Sequence, residues 1–427
     1  MEYSYITVLS NWLIGYDRYK KIYSKENISK STYPKEFYLL KEDELNIGIY
    51  KAQNLLNKIN IISNKIIRIK TVPNCNVRKN TKNNLGWVIE QNYIPVKAVQ
   101  ILENNLWKDI TIEDLTAEAF LLKDDALIEY KELTPLTLSF LPVAFACQAK
   151  CKFCFSESSI STEQIKKISD FNDLSNWCSK AKEKGAKRFV ITGGGEPTII
   201  GFNELNNILK ISNNFFDKNV LITNGLFLKS DTKNKIEELY ENKLSVLSLS
   251  CHHHIKEVNS FIMGIDTEAH SLLEVISHIN SKPTIRLVCV LQKGGVDSLY
   301  EIDRYINFAL ANDITQICFK ELYVASTKES LYSKSKENEY CINNQINLDL
   351  ILKYAEIYNL ECINKLPWGS PIFRLKRYNK VIDIAAYTEP SVGWERSNGI
   401  ARSWNYMADK KCYASLEDNN SIITLEK

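Results

Sequence analysis

Cys147-Gln148-Ala149-Lys150-Cys151-Lys152-Phe153-Cys154 is the tightest cysteine cluster in the chain, with the spacing C-x3-C-x2-C. It follows at once on residues 136–143, a short apolar run that reads as a strand. Structural zinc takes four ligands, usually two pairs a dozen or more residues apart, and ferredoxin-type clusters also take four thiolates. Here no fourth Cys or His stands close, since Cys178, the next cysteine, lies 24 residues on in a segment of helical periodicity. Three thiolates on one short loop can hold three irons of a four-iron cube and leave the fourth iron open to a ligand. The plain alternative is three buried or incidental cysteines.

Outward from that loop, short apolar runs alternate with amphipathic stretches. Residues 136–143, 188–192, 219–223, 244–250, 284–290 and 316–323 predict strands covered on both faces. Residues 173–184, 204–212, 233–240, 269–279 and 298–310 predict the helices between them. The alternation predicts an α/β fold, a parallel sheet whose chemistry sits at the carboxyl ends of the strands. Before it, strands are predicted over 46–50, 65–72, 87–93 and 96–102, and an amphipathic helix over 3–24, which makes a small α+β module. After residue 323 a polar loop, a helix over 348–358 and a mixed tail follow. The expected division is 1–131, an N-terminal module; 132–360, the core; and 361–427, a C-terminal extension.

Composition narrows the class. Of 427 residues, 44% are hydrophobic and 25% charged, the balance of a globular protein. The net charge is only +3, with no basic stripe, which argues against nucleic acid as a partner. No apolar stretch is long enough to span a bilayer, and the start lacks the basic region of a secretory signal, so a cytoplasmic protein with no membrane partner is expected. Eleven cysteines over this length are too sparse for a disulfide scaffold. In a reducing compartment a tight cluster binds metal or does redox work.

A C-x3-C-x2-C loop after the first strand of an α/β repeat, with an aromatic residue before its third cysteine, resembles the radical S-adenosylmethionine (SAM) superfamily. The resemblance implies a partial (β/α)6 TIM-like barrel. It implies that Cys147, Cys151 and Cys154 ligate a [4Fe–4S] cluster whose unique iron binds the amino and carboxylate groups of SAM, with Phe153 beside the cofactor. Thr192-Gly193-Gly194-Gly195-Glu196-Pro197-Thr198 is similar to the family's Gly-Gly-Glu motif. Gly194 and Gly195 would let the backbone approach the ligand, and Glu196 would meet the methionine ammonium. Leu221-Ile222-Thr223-Asn224-Gly225 resembles a further family segment, with Asn224 at the cofactor, although Asn-Gly is also a turn signal in its own right. By the same resemblance, Ser248 and Ser250 would meet the ribose or carboxylate, and Arg286 the carboxylate.

His252, His253 and His254 are three of the five histidines, at the end of the fourth predicted strand. Extended alternation would put His252 and His254 on one side, facing substrate, and His253 on the other. At the sixth strand, Glu321 and Tyr323 would share a face opposite Lys320, with Tyr323 placed to relay a radical. Cys341, Cys362 and Cys412 are too widely spaced to resemble the auxiliary-cluster extensions of some members. The implied activity is reductive cleavage of SAM and hydrogen-atom abstraction from a substrate. Flavodoxin or ferredoxin would serve as reductant. The substrate is expected to be a peptide precursor held by residues 1–131, or else a small molecule, over which the tail with Glu389, Arg396, Arg402 and Trp404 would close. An iron–sulfur electron carrier and a zinc-binding protein are the readings from other classes, and neither uses the Gly193–Glu196 segment.

Overall fold

The computed structural model describes residues 128–425 except 145, 156–171, 267–268, 325–330 and 391, and describes seven strands of the first 127 residues. Two compact units result: residues 1–128 with 365–370 and 390–398, and residues 129–364 with 371–389 and 399–427.

In the first unit the seven strands form one sheet in the order Ser4–Val8, Ile67–Thr71, Ile94–Glu103, Phe37–Lys41, Trp12–Gly15, Tyr50–Lys51. Leu106–Ile110 also pairs with Ile94–Glu103. The helix expected over 3–24 is corrected to two strands, Ser4–Val8 and Trp12–Gly15. Ile6, Thr7, Val8, Trp12 and Ile14 are β-branched or aromatic, and such side chains lose rotamer freedom in a helix but pack well on a pleat. The strands expected at 65–72 and 96–102 coincide with Ile67–Thr71 and Ile94–Glu103. That over 87–93 lies outside the described residues, as does 46–50 save Tyr50.

The second unit is the predicted α/β repeat. Its strands are β1 (Thr137–Leu141), β2 (Arg188–Ile191), β3 (Asn219–Thr223), β4 (Val246–Ser250), β5 (Thr284–Leu291) and β6 (Gln316–Glu321). Each pairs in parallel with the next. Helices α1 (Asn172–Glu183), α2 (Phe202–Ser212), α3 (Thr232–Glu241), α4 (Lys256–Met263), α5 (Ala269–Ser277) and α6 (Leu299–Ala311) make the crossovers. α6 begins at a side-chain cap: Ser298 Oγ accepts the Glu301 N–H at 3.2 Å. Phe140, Phe189 and Phe216 stack through the core, and burying a side chain of this size stabilises by roughly 2–3 kcal/mol.

The tail is not a separate extension. Lys380–Tyr387 (β7) pairs in parallel with β6, and Trp404–Met407 (β8) pairs in parallel with β1. Eight parallel strands therefore stand side by side in the order β8-β1-β2-β3-β4-β5-β6-β7, with β7 and β8 sharing no ladder. Antiparallel strands Pro371–Arg377 and Cys412–Tyr413 continue the sheet beyond the two ends. The fold is a partial barrel, open between β7 and β8. No described helix is long and apolar enough to cross a membrane.

Candidate active site

The loop after β1 is carried by the end of α4. The Lys150 N–H donates to Met263 O at 2.7 Å, and the Cys151 thiol lies 3.7 Å from the same carbonyl. Gly264, at φ 60°, ends that helix; a Cβ there would lie 2.8 Å from Lys150 O, so only glycine lets the two backbones meet. On its other side the loop rests on the glycine run. The Gly195 and Glu196 N–H groups donate to Val143 O and Ala146 O, both at 2.9 Å. A Cβ on Gly194 would fall 2.3 Å from Ala144 O, and one on Gly195 2.2 Å from Ala146 O. These glycines thus allow the close approach of two protein loops.

The three thiols lie within electrostatic reach of one another. Burial pushes Cys147 up, and the charges of Glu196 and Cys154 add to it. Burial, then Cys154 and Cys147, pushes Cys151 up to about 12. Three thiolates so placed repel one another, and a cationic iron centre removes that cost. The donor set therefore fits a cluster held by three protein ligands. Phe153 packs edge-on against His252, ring centres 5.1 Å apart, over Val290, Leu322 and Cys341.

Glu196 is buried and braces the ends of β2 and β3. Its Oε1 accepts from Thr198 N (3.2 Å), Thr198 Oγ1 (2.6 Å) and Thr223 Oγ1 (2.6 Å), and its Oε2 from Asn224 N (2.8 Å). Burial raises its pKa against these donors. Asn224 makes the turn that the Asn-Gly pair signals. Its Oδ1 accepts from Leu226 N at 3.0 Å in a turn, while its Nδ2 reaches Gln148 Oε1 at 3.2 Å and stands 4.0 Å from Cys147 Sγ.

The inner face of the sheet follows from register and burial. Ile222, Ser248, Arg286, Gln316 and Asp383 form one row, Ser250, Val288, Cys318 and Ala385 the next, and Val290, Lys320 and Tyr387 the third. Arg286 Nε donates to Ser248 Oγ at 3.0 Å. Along β6, Gln316, Cys318 and Lys320 are partly exposed on this face, whereas Ile317, Phe319 and Glu321 are buried on the other.

That alternation corrects the reading of Glu321, which faces away from the chamber and accepts from Thr388 Oγ1 at 2.9 Å. Tyr323 lies beyond the end of β6, in an aromatic group with Phe155 and Tyr332. Lys320 is the inward residue. Its Nζ lies 2.7 Å from Glu389 Oε1 and 5.2 Å from the Tyr387 ring centre. Glu389 Oε2 takes Arg402 and, at 2.9 Å, the Tyr387 hydroxyl. Burial would raise the Glu389 pKa, but Arg402 and Lys320 outweigh it and hold it at about 2.

The histidines also divide differently from the expectation. The chain leaves β4 after Ser250 and turns toward α4, so strand alternation ends before the run. His252 alone goes inward: its Nδ1 accepts the Val290 N–H at 3.2 Å, which leaves the proton on Nε2, and burial, then Lys320, lowers its pKa to about 4. His253 and His254 stack together (4.5 Å) against Glu301 of α6, at 3.1 and 3.5 Å. His254 is therefore not beside His252. Nor does this trio suit a metal, because His253 Nδ1 accepts from Ile255 N at 3.0 Å and so keeps its proton on the Nε2 that faces Glu301.

The tail does not form a lid at Trp404, which is a buried part of β8 packed edge-on against Trp177. Arg396 donates to Ile128 O within the first unit. Cys341 stands on a helix (Lys336–Asn344), Cys362 on Glu361–Lys365 at one end of the sheet, and Cys412 near its opposite end.

Residues 141–293 match the family model described as the Radical SAM superfamily. That stretch matches a radical SAM domain. The family works with a [4Fe–4S] cluster and SAM, and the matched stretch here presents the three-thiol loop and the brace beside it. No curated protein matches the chain. Among solved structures it is similar to Streptococcus suis SuiB bound to S-adenosylmethionine (17% identity, TM-score 0.46, covering 72% of this chain and 65% of that one). SuiB bound to the precursor peptide SuiA (18%, 0.43, 74% and 67%) and the Escherichia coli radical SAM enzyme coproporphyrinogen III oxidase, HemN (11%, 0.37, 57% and 56%), are also similar. The chain thus spans just under two thirds of the first SuiB structure.

Proposed function

We propose that this protein is a radical SAM enzyme that reductively cleaves SAM and abstracts a hydrogen atom from a substrate held against the inner face of β4–β7. The observation that carries the reading is the loop at Cys147, Cys151 and Cys154, whose thiols crowd one another beside Glu196 and Asn224. When bound, the cluster would supply one electron and SAM the radical chemistry of reductive cleavage and hydrogen abstraction from an unactivated carbon. The chain's own residues do the rest. Cys147, Cys151 and Cys154 hold the metal, and the backbone at Gly194, Gly195 and Glu196 offers the methionine ammonium its acceptors. Asn224, Ser248, Ser250 and Arg286 fix the remaining polar groups of SAM. Phe153 and Val290 keep water from the reacting end. His252, neutral at physiological pH, presents an Nε2–H donor and cannot act there as a base.

The substrate we propose is a peptide undergoing maturation, bound by residues 1–131. The sheet of the first unit ends on Ser4–Val8 and Tyr50–Lys51, and a strand edge pairs with extended peptide. Flavodoxin or ferredoxin would supply the electron. Anaerobic reconstitution with iron and sulfide, reduction, and mass spectrometry for 5′-deoxyadenosine test the activity. A well-formed cluster that binds SAM yet never yields deoxyadenosine would refute it. Titrating a peptide encoded beside this chain into the protein tests the substrate, and turnover of an amino acid or sugar without any peptide would replace it by a small molecule.

A further inference from the structure

At the level of Val290 the inner face carries Val290, Lys320 and Tyr387, and Lys320 is its one charged group. The next row holds Ser250, Val288, Cys318 and Ala385. The Lys320 side chain is 34% exposed, in contrast to the buried Glu389 that holds it, which is 9% exposed. One ammonium proton is committed to Glu389 at 2.7 Å, and the Tyr387 ring flanks the cation at 5.2 Å. An ammonium has three protons, so donors remain for a ligand in the chamber. The Glu389 carboxylate is itself shared, since Arg402 and the Tyr387 hydroxyl both meet its other oxygen. It therefore fixes the position of Lys320 without neutralising both cations. Beside Lys320 stands His252, whose Nδ1 is occupied by the Val290 N–H and whose Nε2 carries a proton. Cation and imidazole thus both offer hydrogen and accept none. The complement of such a pair is an anionic acceptor, and a carboxylate has the two oxygens to meet both donors.

We infer that the chamber receives a carboxylate-bearing part of the substrate, such as an acidic side chain or a free chain terminus, with Lys320 as its ion-pair partner and Glu389 as the group that positions Lys320. For a peptide this selects an acidic residue or the C-terminus at the modification site; for a small molecule it selects an acid. The inference rests on the reading above that this face is the catalytic chamber.

The test uses full-length, cluster-reconstituted protein in its resting oxidised state. The probes are N-acetylglutamate and N-acetylglutamine, which differ in a carboxylate against a neutral amide. Saturation-transfer NMR at fixed ionic strength reads binding with and without SAM. The acid is expected to bind about ten-fold more tightly than the amide, with SAM present or absent. Lys320→Met is expected to lose the preference, and Lys320→Arg to keep it. Equal binding of the two probes, or no binding of either, overturns the inference in the wild-type protein and needs no variant. Displacement of the acid by SAM also overturns it, by giving Lys320 to the cofactor's own carboxylate, as does a preference that survives in Lys320→Met. Assaying the same preparations for 5′-deoxyadenosine separates the two proposals, because a carboxylate preference without deoxyadenosine removes the radical function and leaves the anion site.

Discussion

At Glu389 one carboxylate is set between Lys320, Arg402 and a tyrosine hydroxyl, and its pH behaviour follows from those partners. Its pKa is held at about 2, below the carboxylate value of an unfolded chain. The stability it contributes is complete above the unfolded value and is lost as pH falls through roughly 4.5 toward 2. That contribution is at most about 3 kcal/mol. Glu389→Gln is expected to flatten that acid limb in circular-dichroism titrations, whereas an unchanged limb would mean the carboxylate is not ionised in the fold. Glu196→Ala removes the acceptor for Thr198, Thr223 and Asn224 and is expected to cost about 3 kcal/mol, read as a lowered Tm, besides weakening SAM binding. Cys151→Ala is expected to keep the fold and abolish both the four-iron absorbance and deoxyadenosine formation; full turnover in that variant would discard the scheme. The cysteine spacing and the glycine run were legible because those residues are rare and stand at strand ends. The inward role of Lys320 was hidden because its partners Tyr387, Glu389 and Arg402 lie more than sixty residues away in sequence. The histidine run misled for a local reason: alternation holds only while the chain stays extended, and here it turns to start α4.

At the scale of elements, the six central strands were readable from their short apolar runs, since strands covered on both faces carry few polar positions. β7 was not. In Lys-Val-Ile-Asp-Ile-Ala-Ala-Tyr the apolar run is broken at Asp383, which with Tyr387 lies on the inner face. β8 is four residues long, set between Arg402-Ser403 and Ala408-Asp409, too short for any periodicity to show. The contact of α4 with the cysteine loop has a direct consequence. Gly264→Val would force its side chain into the Lys150 backbone, in a conformation that β-branched residues avoid. It is expected to lower iron content after reconstitution more than it lowers Tm, and full iron loading would show that the loop does not depend on this helix. Ser298→Ala removes the cap of α6 and is expected to cost about 1 kcal/mol by thermal melting.

At the scale of the second unit, Pro371–Arg377, Lys380–Tyr387, Trp404–Met407 and Cys412–Tyr413 all belong to the one sheet. A chain ending at Tyr378 lacks β7 and β8 and leaves β6 and β1 as bare edges, so it is expected to be insoluble; a soluble, cluster-binding product would show that the six-strand core stands alone. The two flanking strands also set an order of events during synthesis. A ribosome delivers the cysteine loop at residues 147–154 some 250 residues before Met407. Until Lys380–Tyr387 is made the nascent sheet has neither border, until Met407 it lacks the second, and the thiols wait in an unfinished scaffold. Iron and sulfide inserted in that interval would meet a sheet with an unpaired edge, the state in which folding intermediates aggregate or call on a chaperone.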